Sequence, residues 1–255
     1  MLDDFIFCGR DIAELGACAA FGDSMTAGTE VDRMAYDLPG GGSIIMGYGT
    51  RRAIVRNVAI MPRDGVAGDA AWVRQVTRWL MQGRGRLVVK HDPDVFRLAQ
   101  FDAAATYGAK IWPTGGLQMR MTLLPMAFAQ AAAHAQGRTQ GGKIELRLAM
   151  DTAERAPLET EIVCASGTIT AAEITAGRRT LALSGINLAA GTRVRVRCAD
   201  TLLGDLAEVR VGDALRFDAV KSWAQLDAGN GEAIGIAVTG GEAEVRIAAR
   251  GRFYA

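Results

Sequence analysis

The stretch DAAWVRQVTRWLMQGRGRLVVKHDPDVFRLAQF, Asp69 to Phe101, decides how the chain reads. Asp69 is an acceptor placed to cap a helix, and Trp72, Val73, Val76, Trp79 and Leu80 recur at three- and four-residue spacing, which gathers them on one helical face. Arg74, Gln75, Arg78 and Gln82 fall on the other face, and Gly83 supplies the stop. Arg86 to Lys90 then reads as a strand, His91-Asp92-Pro93-Asp94 as a turn and Val95 to Phe101 as the returning strand. The segment predicts a helix lying by its tryptophan face on a β-hairpin.

Outward from this segment the chain divides near residue 138, giving an expected domain of 1–137 and a second of 138–255. The junction Ala127 to Gly142 is alanine-rich and then glycine-rich, and reads as a helical turn followed by a flexible linker. Beyond it the period is two. Ile144, Leu146, Leu148 and Met150 alternate with polar residues, as do Val194 and Val196 with Arg193, Arg195 and Arg197. Short strands separated by glycine turns at Gly185, Gly191, Gly212 and Gly240-Gly241 predict an antiparallel β-sandwich, so the fold class is mainly β with minor α.

Composition excludes several functions. Twenty-nine Lys and Arg against 28 Asp and Glu leave a net charge of +1, and no block of like charge marks a nucleic-acid or lipid-binding tail. The arginine alternations lack the interleaved aromatic rings that stack bases, so they read as a solvated sheet face. Asp3 and Asp4 stand where a secretory signal carries lysine, and the uncharged span from Met121 to Gly137 is broken by Pro125 and polar residues, so neither export nor membrane insertion is expected. Cys8, Cys18, Cys164 and Cys198 are scattered without a C-x-x-C pair and read as free thiols. No metal and no cofactor is expected.

The sharpest chemical signal is FGDSMTAG, Phe21 to Gly28, which resembles the nucleophile block of GDSL-type serine hydrolases and would make Ser24 the nucleophile. A serine needs a base. Those hydrolases supply it from a late D-x-x-H, whereas His91 and His134 lack an aspartate three residues upstream and no histidine follows His134. Asp92-Pro93-Asp94 spaces carboxylates like a metal clamp but is the composition of a turn, and Leu38 to Gly49 has glycines without the lysine of a phosphate loop. Asp227, Asn230 and Glu232 read as a hairpin turn.

One resemblance spans most of residues 5–255. FIFCGRD, then DLPGGGSIIMG, then AIVRNVAIMP, then a helix ending in Trp79-Leu80, a strand with the Asp92-Pro93 turn, and Leu117 to Pro125 with a proline exit follow the order of the N-terminal domain of siphophage distal tail proteins. The close from Ser222 to Ala255, with Trp223, Leu226 and the Gly229-Asn230 pair, is similar to the end of the same family. The loop Pro39-Gly40-Gly41-Gly42 departs from it, since many relatives carry charged residues there.

The resemblance implies a β-barrel-like N-terminal domain with one amphipathic helix, a galectin-like or carbohydrate-module-like C-terminal sandwich, and no enzymatic activity. It further implies a structural virion protein at the phage tail tip, assembled in the bacterial host cytoplasm as a homo-hexameric ring. Its partners would be the tail tube protein, the tail-tip hub or tail-associated lysin protein and a receptor-binding protein. Arg84 and Arg86, flanking Gly85, are the candidate interface residues. Two other classes stand beside it. A carbohydrate-binding module would need an aromatic platform, for which Trp223, Phe217 and Tyr254 are candidates although Trp223 is expected to be buried beside Leu226; a serine hydrolase would need a base for Ser24.

Overall fold

The computed structural model describes residues 4–21, 31–37, 43–107 and 116–254. By its internal contacts the chain forms two compact units, Met1–Gln130 with Tyr254–Ala255, and Ala131–Phe253.

In the first unit the strands are β1 (Phe5–Phe7), β2 (Arg10–Asp11), β3 (Ala17–Phe21), β4 (Val31–Asp37), β5 (Ser43–Arg51), β6 (Ile54–Pro62), β7 (Gly85–Val89), β8 (Val95–Tyr107) and β9 (Leu117–Ala129), and the one α-helix among the described residues is α1 (Ala70–Leu80). The main sheet runs β2-β1-β7-β8-β9-β6-β3, while β4 and β5 pair with each other. The two ends of that order, β2 and β3, are joined by the short 3-10 turn Ile12–Leu15 and Gly16, so the sheet curls into a half-barrel.

Helix α1 begins where the sequence expects it, with the Asp69 carboxylate accepting the Trp72 amide at 2.8 Å. Trp72, Val76, Trp79 and Leu80 are buried, and Val73 is half-buried. Both indoles also meet their polar requirement, because Trp72 Nε1 donates to the Leu15 carbonyl at 2.9 Å and Trp79 Nε1 to the Phe7 carbonyl at 3.3 Å. Trp79 stacks on Phe5 at 5.8 Å between ring centres, and Phe5 and Phe7 both reach Phe101, at 5.8 and 5.1 Å. This aromatic cluster binds helix, β1 and β8 into one core. The hairpin forms as read, with Gly85 opposite Ala99 and Leu87 opposite Arg97. Pro125 is not an exit: β9 runs through it to Ala129. The pairing passes from Ala127 opposite Arg97 to Leu123 opposite Ala99, a register shift that accommodates a residue without an amide hydrogen.

In the second unit the strands are β10 (Ala133–Arg138), β11 (Lys143–Arg147), β12 (Ala156–Pro157), β13 (Glu159–Ala176), β14 (Arg179–Ala189), β15 (Arg193–Arg197), β16 (Glu208–Val211), β17 (Ala214–Leu215), β18 (Val220–Ser222), β19 (Asp227–Ala228) and β20 (Ala233–Ala249). The expected helical turn and linker at the junction are absent. Ala133 to Arg138 is a strand, because its backbone groups find partners on β20 from Ala249 to Glu244 and its residues alternate between half-buried and exposed.

The sandwich is built from two strands far longer than the short ones expected. The first part of β13, Glu159 to Cys164, pairs with β15 and with the last part of β20; the second part, Ala171 to Ala176, pairs with β14 and with the first part of β20. Both strands therefore pass from one layer to the other. The pairing shifts register between Gly167 and Ala171, and Gly167 and Gly240 take φ of 77° and 95° there. Gly240-Gly241, read from sequence as a turn between strands, is thus a corner within β20, and Gly185 likewise lies inside β14. Between the layers, Leu148, Ile162, Ile174, Leu181, Val194, Ile234 and Ile247 are fully buried.

Candidate assembly surfaces

The first unit carries a groove whose walls follow from the local sequence. Cys8 and Gly9, both at positive φ (51° and 80°), form the tight turn between β1 and β2, and the Cys8 amide donates to the Arg86 carbonyl at 2.9 Å. Gly85 packs close beside it, where a Cβ would meet the Cys8 sulfur and the edge of the Phe7 ring. Across the gap lies the polar face of α1. The resulting groove, about 610 Å³, is lined by Cys8, Arg10, Ala71, Arg74, Gln75, Arg78, Trp79 and Gln82.

Its charge is one-sided. Arg10 pairs with Glu14 at 3.4 Å, but among the described residues Arg74 and Arg78 meet no carboxylate. Burial pushes the Cys8 thiol up from its ordinary value, against the opposing hydrogen bonds from the Gln82 side chain and the Arg86 backbone.

Arg84 lies exposed in the loop between α1 and β7, and Arg86 lies exposed on β7 with its guanidinium over the Phe96 ring at 4.7 Å. They adjoin the groove without lining it. The signal for the groove residues was already present in the sequence: Arg74 and Arg78 stand four apart on one helix face with no acid at the neighbouring helical positions.

The second unit presents an ion-paired sheet face. Arg195 holds Glu161 at 2.8 Å, Arg193 reaches the same carboxylate at 3.8 Å and Arg197 reaches Glu208 at 3.7 Å. The arginine alternation read as a solvated face is therefore matched carboxylate by carboxylate across β13, β15 and β16, with the valines between buried. Trp223 is not buried: it is 40% exposed, and Phe217 on the same segment is 52% exposed. The chain leaves β18 at Ser222, and Leu226, not Trp223, enters the core. Tyr254 is also exposed, at 45%.

The remaining polar candidates have structural duties. Asn230 accepts the Met150 amide at 3.2 Å, Asp227 pairs with Arg179 at 3.3 Å, and Glu232 pairs with Arg155 at 2.8 Å. Burial works against the Glu232 charge, yet the Gly229 amide and Arg155 outweigh it and hold the carboxyl below its usual range. Asp92 faces Arg97 at 3.7 Å, while Asp94 is exposed and among the described residues pairs with no cation. Among the described residues no three His, Cys, Asp or Glu side chains gather as a metal-holding group, and no helix is long and apolar enough to cross a membrane. Ser24 and the loop Pro39 to Gly42 lie outside the described residues.

A curled sheet braced by one amphipathic helix, followed by a sandwich of bent strands, defines a two-unit, mainly β protein. No protein-family model matches the sequence, and no curated protein matches it either. Solved structures do. The crystal structure of the Dit protein (gp 19.1) of phage SPP1, described as a paradigm of the hub adsorption apparatus in phages infecting Gram-positive bacteria, is similar over 99% of this chain and 100% of that one, with a TM-score of 0.69 at 11% identity. Chains of the phage P2 baseplate in its activated conformation, with calcium and with strontium, are similar over 98% of both partners, with TM-scores of 0.55 and 0.54 at 8% identity. The fold is that of the distal tail and baseplate hub proteins.

Proposed function

We propose that this chain is a structural virion protein: a hexameric ring at the distal end of a phage tail that joins the tail tube to the tail-tip proteins and has no catalytic role. The observation that carries the reading is the end-to-end correspondence with a hub protein, which takes in both units and covers 99% of this chain and 100% of that one. A fold alone does not fix a function. Here the physical features agree with assembly. The first unit's sheet ends in β2 and β3, and terminal strands offer backbone groups to a neighbouring copy; a head-to-tail contact of that kind closes into a ring under cyclic symmetry. A net charge of +1 adds little repulsion among packed copies. The partners in this reading are the tail tube protein on one side, the tail-tip hub or tail-associated lysin on the other, and a receptor-binding protein.

The test is assembly. The purified chain, alone or with its tail tube partner, gives six-fold rings by negative-stain microscopy and a mass six times 27.0 kDa by light scattering. A species that stays monomeric in every mixture refutes the reading.

The exposure of Phe217 and Trp223 favours a second activity for the sandwich, stacking on the apolar face of a sugar. Glycan-array binding by the full chain, lost in Phe217→Ala with Trp223→Ala, supports it; an array blank for the unaltered chain rejects it.

A further inference from the structure

We propose that the arginine groove on α1 receives the Asp92-Pro93-Asp94 turn of a neighbouring copy. The inference rests on the ring reading above and names the contact that closes the ring.

Three observations lead to it. The groove collects Arg10, Arg74 and Arg78, of which two meet no carboxylate among the described residues, and Trp79 forms part of its lining. Guanidinium groups in a concave site select planar, bidentate carboxylates. The turn at the far end of the same hairpin offers one: Asp94 is exposed and pairs with no cation among the described residues, while Asp92 faces the buried Arg97 at 3.7 Å and Pro93 stiffens the backbone between them.

The placement of the two ends supplies the direction. Gly85, at the start of β7, touches the groove through Cys8, whereas the acidic turn follows Val89 at the other end of that strand. Roughly 15 Å of extended backbone separates them, so a turn does not reach the groove of its own chain. It reaches the groove of the next one. A donor surface at one end of a rigid hairpin and its acceptor at the other make a head-to-tail contact, and repetition of such a contact about a cyclic axis closes a ring. The hairpin is well suited to set the angle, because Phe5, Phe7 and Trp79 lock it to the helix that forms the groove wall.

The experiment uses two full-length variants. Arg74→Glu with Arg78→Glu makes the groove acidic, and Asp94→Arg makes the exposed end of the turn basic while Asp92 stays on the buried Arg97. Each alone sets like charge against like charge at every contact and raises the concentration needed for self-association, read by sedimentation velocity, at least tenfold, with the urea midpoint of each monomer confirming that it is folded. Mixed in equal amounts they restore rings, because alternating copies then present a basic groove to an acidic turn and an acidic groove to a basic turn. Maleimide labelling of Cys8 supplies a second readout: the thiol is open in the monomer and protected in the ring, with Cys8→Ser as the blank. Rings formed by either variant alone at the concentration of the unaltered chain, or a mixture that stays monomeric, overturns the groove contact and leaves the hub reading intact. An unaltered chain that never assembles, even with the tube partner, overturns the hub reading itself.

Discussion

Replacing Gly240 by alanine tests whether the corner between the two layers depends on the absence of a side chain. The residue sits at φ of 95°, and a Cβ there would come closer than 3.0 Å to the Thr168 carbonyl oxygen, a backbone atom that has nowhere to rotate. Gly204 provides the control: it has a similar φ of 82°, but a Cβ would meet nothing within 4 Å. The backbone cost of an L side chain at positive φ is about 1–2 kcal/mol and applies to both. The steric cost, about 1–3 kcal/mol for forcing a group into packed structure, applies only to Gly240. Gly240→Ala therefore loses roughly 2–5 kcal/mol and Gly204→Ala roughly 1–2 kcal/mol, against a domain stability on the order of 5–15 kcal/mol. Urea unfolding of the full chain, followed peptide by peptide with pulsed hydrogen exchange, reads β13 and β20 separately from the first unit. Equal losses in the two variants would refute the close approach as the reason for glycine at the corner.

Three further outcomes follow from the structure. Trp79→Ala removes the ring that stacks on Phe5 and the donor to the Phe7 carbonyl, and costs about 3–5 kcal/mol in the first unit's urea transition; a loss under about 1 kcal/mol would show that the helix is held elsewhere. Asp69→Ala deletes the helix cap and costs about 1 kcal/mol, visible as faster amide exchange in the first turn of α1, with Asp69→Asn recovering most of it. Glu232, held below its ordinary pKa, contributes stability that is present above its unfolded value of about 4.3 and lost as pH falls through the lower folded value. Glu232→Gln is accordingly less stable than the unaltered chain at pH 7, and the gap in urea midpoint narrows below pH ~4; a gap that is the same at pH 7 and pH 3 contradicts the pairing with Arg155.

What the sequence disclosed depended on how local the decisive physics was. The helix and hairpin from Asp69 to Phe101 were legible because cap, periodicity and turn chemistry all lie within a few residues of one another. The segment Ala133 to Arg138 misled because alanine favours helix, while its partner strand is more than a hundred residues away. The glycines of β20 misled for a related reason: Gly240-Gly241 has the composition of a turn, and only the layer change shared with β13 shows that the chain continues through it. Trp223 was read as buried from its place just before Leu226 in an expected core turn, but Leu226 enters the core while Trp223 lies exposed. At the candidate surface, Arg84 and Arg86 were chosen for their place after the helix; Arg74 and Arg78 were read as the exposed polar face of α1, and that this face walls a groove against the β1–β2 turn cannot be seen from the helix alone.

Strands that cross between layers also change how the second unit answers to force. In a sandwich of separate hairpins, tension can peel one sheet from the other by breaking side-chain packing, with hydrogen bonds opening one at a time. In this unit β13 and β20 are antiparallel partners along nearly their full lengths, through both layers, so pulling the layers apart strains covalent backbone, and sliding one strand along the other breaks many backbone hydrogen bonds together. The unit is built as a shear joint, in which the short margins, β17 and β18, pair at two positions each while the two long strands share most of the ladder.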